Sequence, residues 1–253
     1  MPETKTLYKR TKVLSEKAMH YCPGCSHSLV HKMIAEIIEE FGIQEKTVII
    51  APVGCAVLLY DYILCDSLEA AHGRAPAIAT GIKRVKPDNV VISYQGDGDL
   101  LAIGMAETIH AANRGEHITV VFINNAIYGM TGGQMAPTTL VGQKSSTSEG
   151  GRKPSNEGYP IGACELLNTL KAPYFIERTK VTSAKAIIKT KNILRKAIKN
   201  QMEGKGYSFV EILSNCPTNW RMTPEKSNEW IDTVMEENFP VKNFRDGGVK
   251  NEN

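Results

Sequence analysis

The chain has 253 residues and a formal charge of +3 from 30 basic and 27 acidic side chains, long enough to bury a substantial core as one α/β domain or two small ones. So even a balance gives no electrostatic case for nucleic acid or a membrane surface as partner. Residues 1–20 carry Lys5, Lys9, Arg10, Lys12, Glu16 and Lys17 without an apolar core, unlike a secretory signal, and the longest uncharged stretch, 47–60, is too short to span a bilayer, so a cytoplasmic enzyme or enzyme subunit is expected.

Hydrophobic spacing gives the predicted elements in order. Ser26 is placed to cap a helix running to Phe41, with Leu29, Val30, Met33, Ile34, Ile37, Ile38 and Phe41 on one face and Gly42 as the stop signal. Residues 47–51 read as a buried strand ending in Pro52-Val53-Gly54-Cys55, with a helix over about 56–66. His72-Gly73-Arg74-Ala75-Pro76 opens a helix that ends near Pro87. Strand 89–94 runs into Gly96-Asp97-Gly98-Asp99, helix 100–113 is closed by Gly115, and strand 117–123 ends at Asn124-Asn125. Residues 128–159 are rich in Gly, Ser, Thr and Pro, and so long a loop is normally functional or reaches toward a partner. Helix 161–170, strand 174–178, helix 183–201, strand 207–213 and helix 224–237 precede a polar tail over about 240–253. Strands alternating with helices imply an α/β fold, a mainly parallel sheet with helices on both faces. The chemically interesting loops all follow the C-terminal ends of strands, where such sheets hold ligands.

Gly96-Asp97-Gly98-Asp99 lies between a strand and a helix. Such a turn offers backbone N–H groups at a helix's positive end to a diphosphate. Asp97 fits if Mg²⁺ lies between carboxylate and phosphates, since Mg²⁺ takes few carboxylates plus phosphate oxygens. One helix and one strand later, the amide oxygen of Asn125 and a backbone carbonyl just beyond complete the protein ligands. An EF-hand loop fails, because Leu101 takes the third ligand position and Ala102 the required glycine position. Neither a dinucleotide fingerprint nor a Walker loop occurs.

Cysteines stand at 22, 25, 55, 65, 164 and 216. Cys22-Pro23-Gly24-Cys25 is a chelating pair, and Cys55 and Cys216 each follow a strand, so parallel strands bring the three pieces to one edge. Iron–sulfur, zinc and a redox dithiol all remain open on chemistry alone. Cys65 and Cys164 read as small core residues.

Gly-Asp-Gly followed by Asn-Asn resembles the diphosphate motif of thiamine-diphosphate enzymes. Gln95-Gly96-Asp97-Gly98-Asp99, His72-Gly73-Arg74-Ala75 and the string from Asn124 through Ile127-Tyr128-Gly129-Met130-Thr131 to Gln134 resemble the β subunits of 2-oxoacid:ferredoxin oxidoreductases, over about 21–220. The resemblance implies a thiamine-diphosphate-binding fold, one diphosphate/Mg-binding domain over 1–253, with a cluster-binding segment at about 15–30 and a long loop at about 131–159. It implies Mg²⁺ on Asp97, Asn125 and the carbonyl of Ile127, and a turn of Tyr128, Gly129, Met130 and Thr131 beside the thiazolium. It further implies a [4Fe–4S] cluster on Cys22, Cys25, Cys55 and Cys216.

By the same resemblance, a 2-oxoacid is oxidatively decarboxylated, coenzyme A takes the acyl group, and electrons pass through the cluster to ferredoxin. The activating glutamate belongs to a separate pyrimidine-binding domain, so an α subunit must supply it, with a γ subunit and a ferredoxin or ferredoxin-like subunit as further partners. Residues 132–159 are a candidate contact. His72 is either an active-site proton carrier, a phosphate contact or a structural helix-end residue; His27, His31, His110 and His117 read as structural. Ile127, Met130 and Met135 make the neighbourhood apolar, and the string from Ile127 to Leu140 is most similar to members acting on 3-methyl-2-oxobutanoate, with 2-oxoglutarate as the alternative. Rival functions are a non-oxidative decarboxylase subunit and a zinc-stabilised assembly subunit.

Overall fold

The computed structural model describes residues 8–247. Its strands are β1 (Thr47–Ala51), β2 (Asp66–Glu69), β3 (Val90–Gly96), β4 (Thr119–Asn124), β5 (Phe175–Lys180), β6 (Ser208–Leu213) and β7 (Asn243–Asp246), in the spatial order β2-β1-β3-β4-β6-β5-β7. All pairs are parallel except β5 with β7.

The inner strands are apolar on both faces, as a sheet covered on both sides requires. Side chains alternate along each strand. Ile49, Ile92, Val121 and Val210 therefore join one core, beneath α1 (His27–Phe41). Ile50, Val91, Val120 and Phe209 join the other, beneath α2 (Ala75–Val85). The long helix α6 (Ala184–Met202) lies on the α1 side through Ile193, Leu194, Ala197 and Ile198. On the α2 side lie α3 (Met105–Asn113), through Ala111 and Ala112, and α5 (Ala163–Asn168), through Ala163 and Leu167. A third cluster, of Ala126, Leu140, Leu213, Ile231, Met235 and Phe239, anchors the C-terminal segment beside the long loop.

Several expectations are corrected. The helix over 56–66 is only a 3₁₀ stretch, Val57–Asp61, and the chain then straightens to pair β2 with β1. Leu59, Tyr62 and Ile63 are buried there, which is one turn of helical spacing and no more. The helix over 100–113 is broken at Gly104: a π-type turn, Gly98–Ile103, closes by Gly104 N donating to Asp99 O at 3.0 Å, and α3 follows. Ser26 does not cap α1, because its hydroxyl donates to Asn215 Oδ1 at 2.8 Å. Within the polar tail, β7 closes the β5 edge of the sheet; residues 248–253 lie outside the described ones. Among the described residues no helix is long and apolar enough to cross a membrane.

Candidate cofactor and cluster site

From β1 the chain steps outward to β2, then crosses back to β3 and onward. The crevice between β1 and β3 is therefore where the winding reverses, the usual ligand position in an open parallel sheet. The loop carrying Cys55 leaves β1 there, and the turn carrying Asp97 leaves β3 beside it.

A cavity of about 160 Å³ occupies this crevice. Its wall contains Gly96, Asp97, Gly98, Asp99, Asn125, Ile127, Tyr128, Gly129, Met130 and Thr131, along with His72 and Cys55. Residues far apart in sequence thus meet because their strands are parallel neighbours.

Asp97 is buried. Its Oδ1 accepts from Gly98 N at 3.0 Å, and its Oδ2 accepts from Thr138 Oγ1 at 2.8 Å. Burial pushes the carboxyl up to about 7, against hydrogen bonds from Thr138, Gly98 and Ile127. A cation beside it would favour the carboxylate. Asn125 is also buried, with Oδ1 accepting from Ile127 N at 3.4 Å. Ala126 between them has φ 55, a left-handed conformation that costs a residue with a Cβ about 1–2 kcal/mol. Asn124 Oδ1 offsets this by accepting from Ala126 N at 3.2 Å. Carboxylate, amide and carbonyl oxygens are the hard donors that Mg²⁺ takes, so the residues present fit the group.

Asp99 lines the cavity, but its own oxygens tie loops together. Oδ1 lies 2.7 Å from His72 Nδ1 and accepts from Gly73 N at 2.9 Å and Val53 N at 3.3 Å. Oδ2 accepts from Gln95 Nε2 at 2.7 Å. The His72 loop comes this close because two glycines meet: a Cβ on Gly73 would stand 2.7 Å from Gly104 N.

The cysteine pieces converge beside the same turn. A Cβ at Gly129 would lie 3.0 Å from Cys55 Sγ and 3.6 Å from Cys216 Sγ. Asn219 Nδ2 donates to Gly129 O at 3.0 Å and reaches Cys216 Sγ at 3.3 Å. Asn215, next to Cys216, donates to Gly24 O at 3.0 Å and so holds the turn between Cys22 and Cys25. Burial, together with charge on the neighbouring cysteines, pushes the Cys25 thiol up to about 11 and the Cys55 thiol up to about 12. Such thiols ionise when a metal centre takes them as ligands. Among the described residues no group of three or more His, Cys, Asp or Glu is placed to hold a metal ion; in chemistry, four thiols are the donor type that an iron–sulfur cluster takes. Cys164 is buried and Cys65 half-buried, and each packs in the core.

Sequence reasoning missed Thr138, 41 residues from the Asp97 it touches, and the two asparagines flanking Cys216. It also missed that His27, Val53 and Ile103 share the cavity wall. Ser214-Asn215-Cys216-Pro217-Thr218-Asn219 is polar around a strand-end cysteine, which was the available signal for Asn215 and Asn219. Nothing local marks Thr138. His27 is buried, its Nδ1 2.8 Å from Tyr94 Oη, and His31 Nε2 lies 2.6 Å from Tyr21 Oη.

This fold and crevice are those of a thiamine-pyrophosphate-binding domain: the family described as thiamine pyrophosphate enzyme, C-terminal TPP binding domain, matches residues 53–212. The ketoisovalerate oxidoreductase subunit VorA of Methanothermobacter marburgensis is 54% identical over 93% of this chain and 49% of its own length. The 2-oxoglutarate synthase subunit KorB of Methanocaldococcus jannaschii is 37% identical over 78% of this chain and 69% of its own. In structure, 2-oxoglutarate:ferredoxin oxidoreductase from Magnetococcus marinus superimposes with a TM-score of 0.75 at 24% identity, over 96% of this chain and 87% of that one. The chain belongs to the thiamine-pyrophosphate-binding β-subunit family of the 2-oxoacid:ferredoxin oxidoreductases. It spans about half the length of the VorA relatives it matches.

Proposed function

We propose that this chain is the cofactor-binding subunit of a cytoplasmic 2-oxoacid:ferredoxin oxidoreductase acting on a branched-chain 2-oxoacid, 3-methyl-2-oxobutanoate. The observation that carries the reading is one cavity wall that includes Asp97, Asn125 and Ile127 together with Cys55. Mg²⁺ would be held by Asp97, Asn125 and the carbonyl of Ile127, the diphosphate by the turn at Gly96–Asp99, and a [4Fe–4S] cluster by Cys22, Cys25, Cys55 and Cys216. Thiamine diphosphate, when bound, supplies the carbon nucleophile and electron sink that decarboxylate a 2-oxoacid.

The chain's own residues orient and exclude. Ala102, Ile103, Ile127 and Met130 make the wall beside the Tyr128–Thr131 turn apolar, suited to a branched aliphatic chain and to keeping water out. Asp99 engages His72 Nδ1, which fixes the ring and leaves Nε2 to hold or pass a proton. Met130 is 58% exposed and Ile103 50% exposed at the cavity mouth. That apolar rim supports cover by an α subunit bringing the pyrimidine-binding domain and its glutamate; γ and ferredoxin-type subunits and coenzyme A complete the proposal.

The greater identity to ketoisovalerate subunits than to 2-oxoglutarate subunits supports the branched-chain substrate. 2-Oxoglutarate is the second reading, supported by the similarity to the KorB subunits. Neither Lys nor Arg lines the cavity among the described residues, so its second carboxylate would depend on a cation from the partner. Anaerobically purified complex, given coenzyme A, a low-potential acceptor and a panel of 2-oxoacids, should turn over 3-methyl-2-oxobutanoate fastest and carry about four irons in this subunit. A colourless protein containing zinc and no turnover would sink the proposal.

A further inference from the structure

The long loop after β4 has little regular structure, only the short helix α4 (Pro154–Glu157), yet it is ordered around one side chain. Arg152 is 5% exposed. Its Nη1 donates to Ala136 O at 3.3 Å, Pro137 O at 3.0 Å and Thr139 O at 2.7 Å. Its Nε donates to Gly158 O at 2.8 Å, and its Nη2 to Glu157 O at 3.1 Å and Tyr159 O at 2.8 Å. A buried guanidinium facing only carbonyls is expensive unless each donor is matched, and here the planar fork stitches the two limbs of the loop together.

The stitched limb carries two adjacent buried threonines, each with its own partner. Thr138 Oγ1 donates to Asp97 Oδ2 at 2.8 Å. Thr139 Oγ1 donates to Ala126 O at 2.7 Å, and accepts from Ala136 N at 2.9 Å. One hydroxyl thus grips the carboxylate at the end of β3, and the next grips the strained turn at the end of β4. We propose that Arg152, Thr138 and Thr139 form a clamp that sets the Asp97 carboxylate against the Asn125–Ile127 turn, with Thr138 the positioning residue for Asp97. The inference rests on the reading of this crevice as a metal–diphosphate site. By donating to Oδ2, Thr138 fixes the rotation of the carboxylate and leaves Oδ1, which accepts from Gly98 N, as the oxygen presented to a cation. Arg152 holds the backbone on both sides of that hydroxyl.

The test is calorimetric titration of the anaerobic complex with thiamine diphosphate, with Mn²⁺ replacing Mg²⁺ so that its electron paramagnetic resonance spectrum reports the coordination. Thr138→Val should bind about tenfold more weakly, the loss of one hydrogen bond to a charged group, with an altered Mn²⁺ spectrum. Its iron content should match the parent, while its melting temperature should fall by a few degrees because Asp97 Oδ2 loses its buried donor. Thr138→Ser should restore both affinity and spectrum, and Arg152→Lys should weaken binding and open Lys144 to trypsin. If the valine variant does not fold, Thr138→Ala carries the same comparison with serine. A valine variant that binds with parental affinity and spectrum overturns the clamp while leaving the function intact. A parent complex that takes up no cofactor overturns both.

Discussion

His72 Nδ1 lies 2.7 Å from Asp99 Oδ1, and the same oxygen accepts the backbone N–H groups of Gly73 and Val53. One buried carboxylate therefore joins the His72 loop, the Cys55 loop and the turn after β3. Asp99→Ala leaves two backbone donors and the Gln95 amide without an acceptor, each costing about 1–3 kcal/mol. Urea unfolding of the subunit should show a loss of roughly 3 kcal/mol or more, whereas His72→Asn, at a half-exposed side chain, should cost about 1 kcal/mol or less. Equal losses for the two variants would contradict the role given to Asp99.

Gly129 faces two sulfurs. A methyl group there would stand 3.0 Å from Cys55 Sγ, closer than van der Waals contact permits, in the space a cluster would need. Gly129→Ala should lower the iron content and broaden the cluster's resonance spectrum, and Cys55→Ala should remove the cluster outright. Cys65→Ala and Cys164→Ala should keep full iron. Iron retained in Cys55→Ala would refute the ligand assignment.

Arg178 is fully buried, with Nε 2.9 Å from Glu211 Oε2. Glu211 Oε1 accepts from Asn124 Nδ2 at 2.7 Å, so the pair props up the residue before Asn125. Arg178→Met strands the Glu211 charge in the core and should cost about 3–5 kcal/mol in denaturant unfolding. Arg178→Met combined with Glu211→Leu should recover much of that, because an apolar pair leaves no buried charge. A double variant as unstable as the single one would contradict this account.

Glu165 on α5 supplies the other carboxylate to Arg178, its Oε1 2.8 Å from Nη1. Burial opposes its ionisation, but the guanidinium outweighs burial and holds the carboxyl below its usual 4.5. A lowered folded-state value contributes stability that is full above the unfolded value and fades as pH falls through the folded one. Glu165 is nearly half exposed, so the contribution is discounted to about 1 kcal/mol or less. The stability gap between parent and Glu165→Gln should be constant near neutrality and close below about pH 4. A gap that widens on acidification would reverse the sign argued here.

The doubly covered sheet was readable because Ile49–Ile50, Val90-Val91-Ile92 and Thr119–Ile123 are continuous apolar runs, and strand-end motifs such as Gly96-Asp97-Gly98 follow them directly. β2 was not readable. Asp66-Ser67-Leu68-Glu69 is polar because it sits at an edge, so it lacks the apolar signature of the strands it pairs with. β7 is hidden for the same reason, since Asn243, Phe244, Arg245 and Asp246 pair only with β5. The break at Gly104 comes from its contact with Gly73, a tertiary event that a helical period cannot report. Within the candidate site, the residues legible in sequence were those in the strand-end turns and the Cys22–Cys25 pair ahead of α1. Thr138 and Arg152 act through a loop whose path is set by six carbonyls, and no spacing rule encodes that path.

The two borders of the sheet are finished differently. On one side the returning C-terminal strand runs antiparallel and occupies the free hydrogen-bonding groups of β5. On the other, β2 is only four residues long and three of them are exposed, Asp66 and Glu69 among them. Negative charge on so brief a ribbon repels an identical ribbon and offers little length for a stray strand to zip against. The protein can therefore leave that margin open to solvent without inviting copies of itself to stack into aggregates.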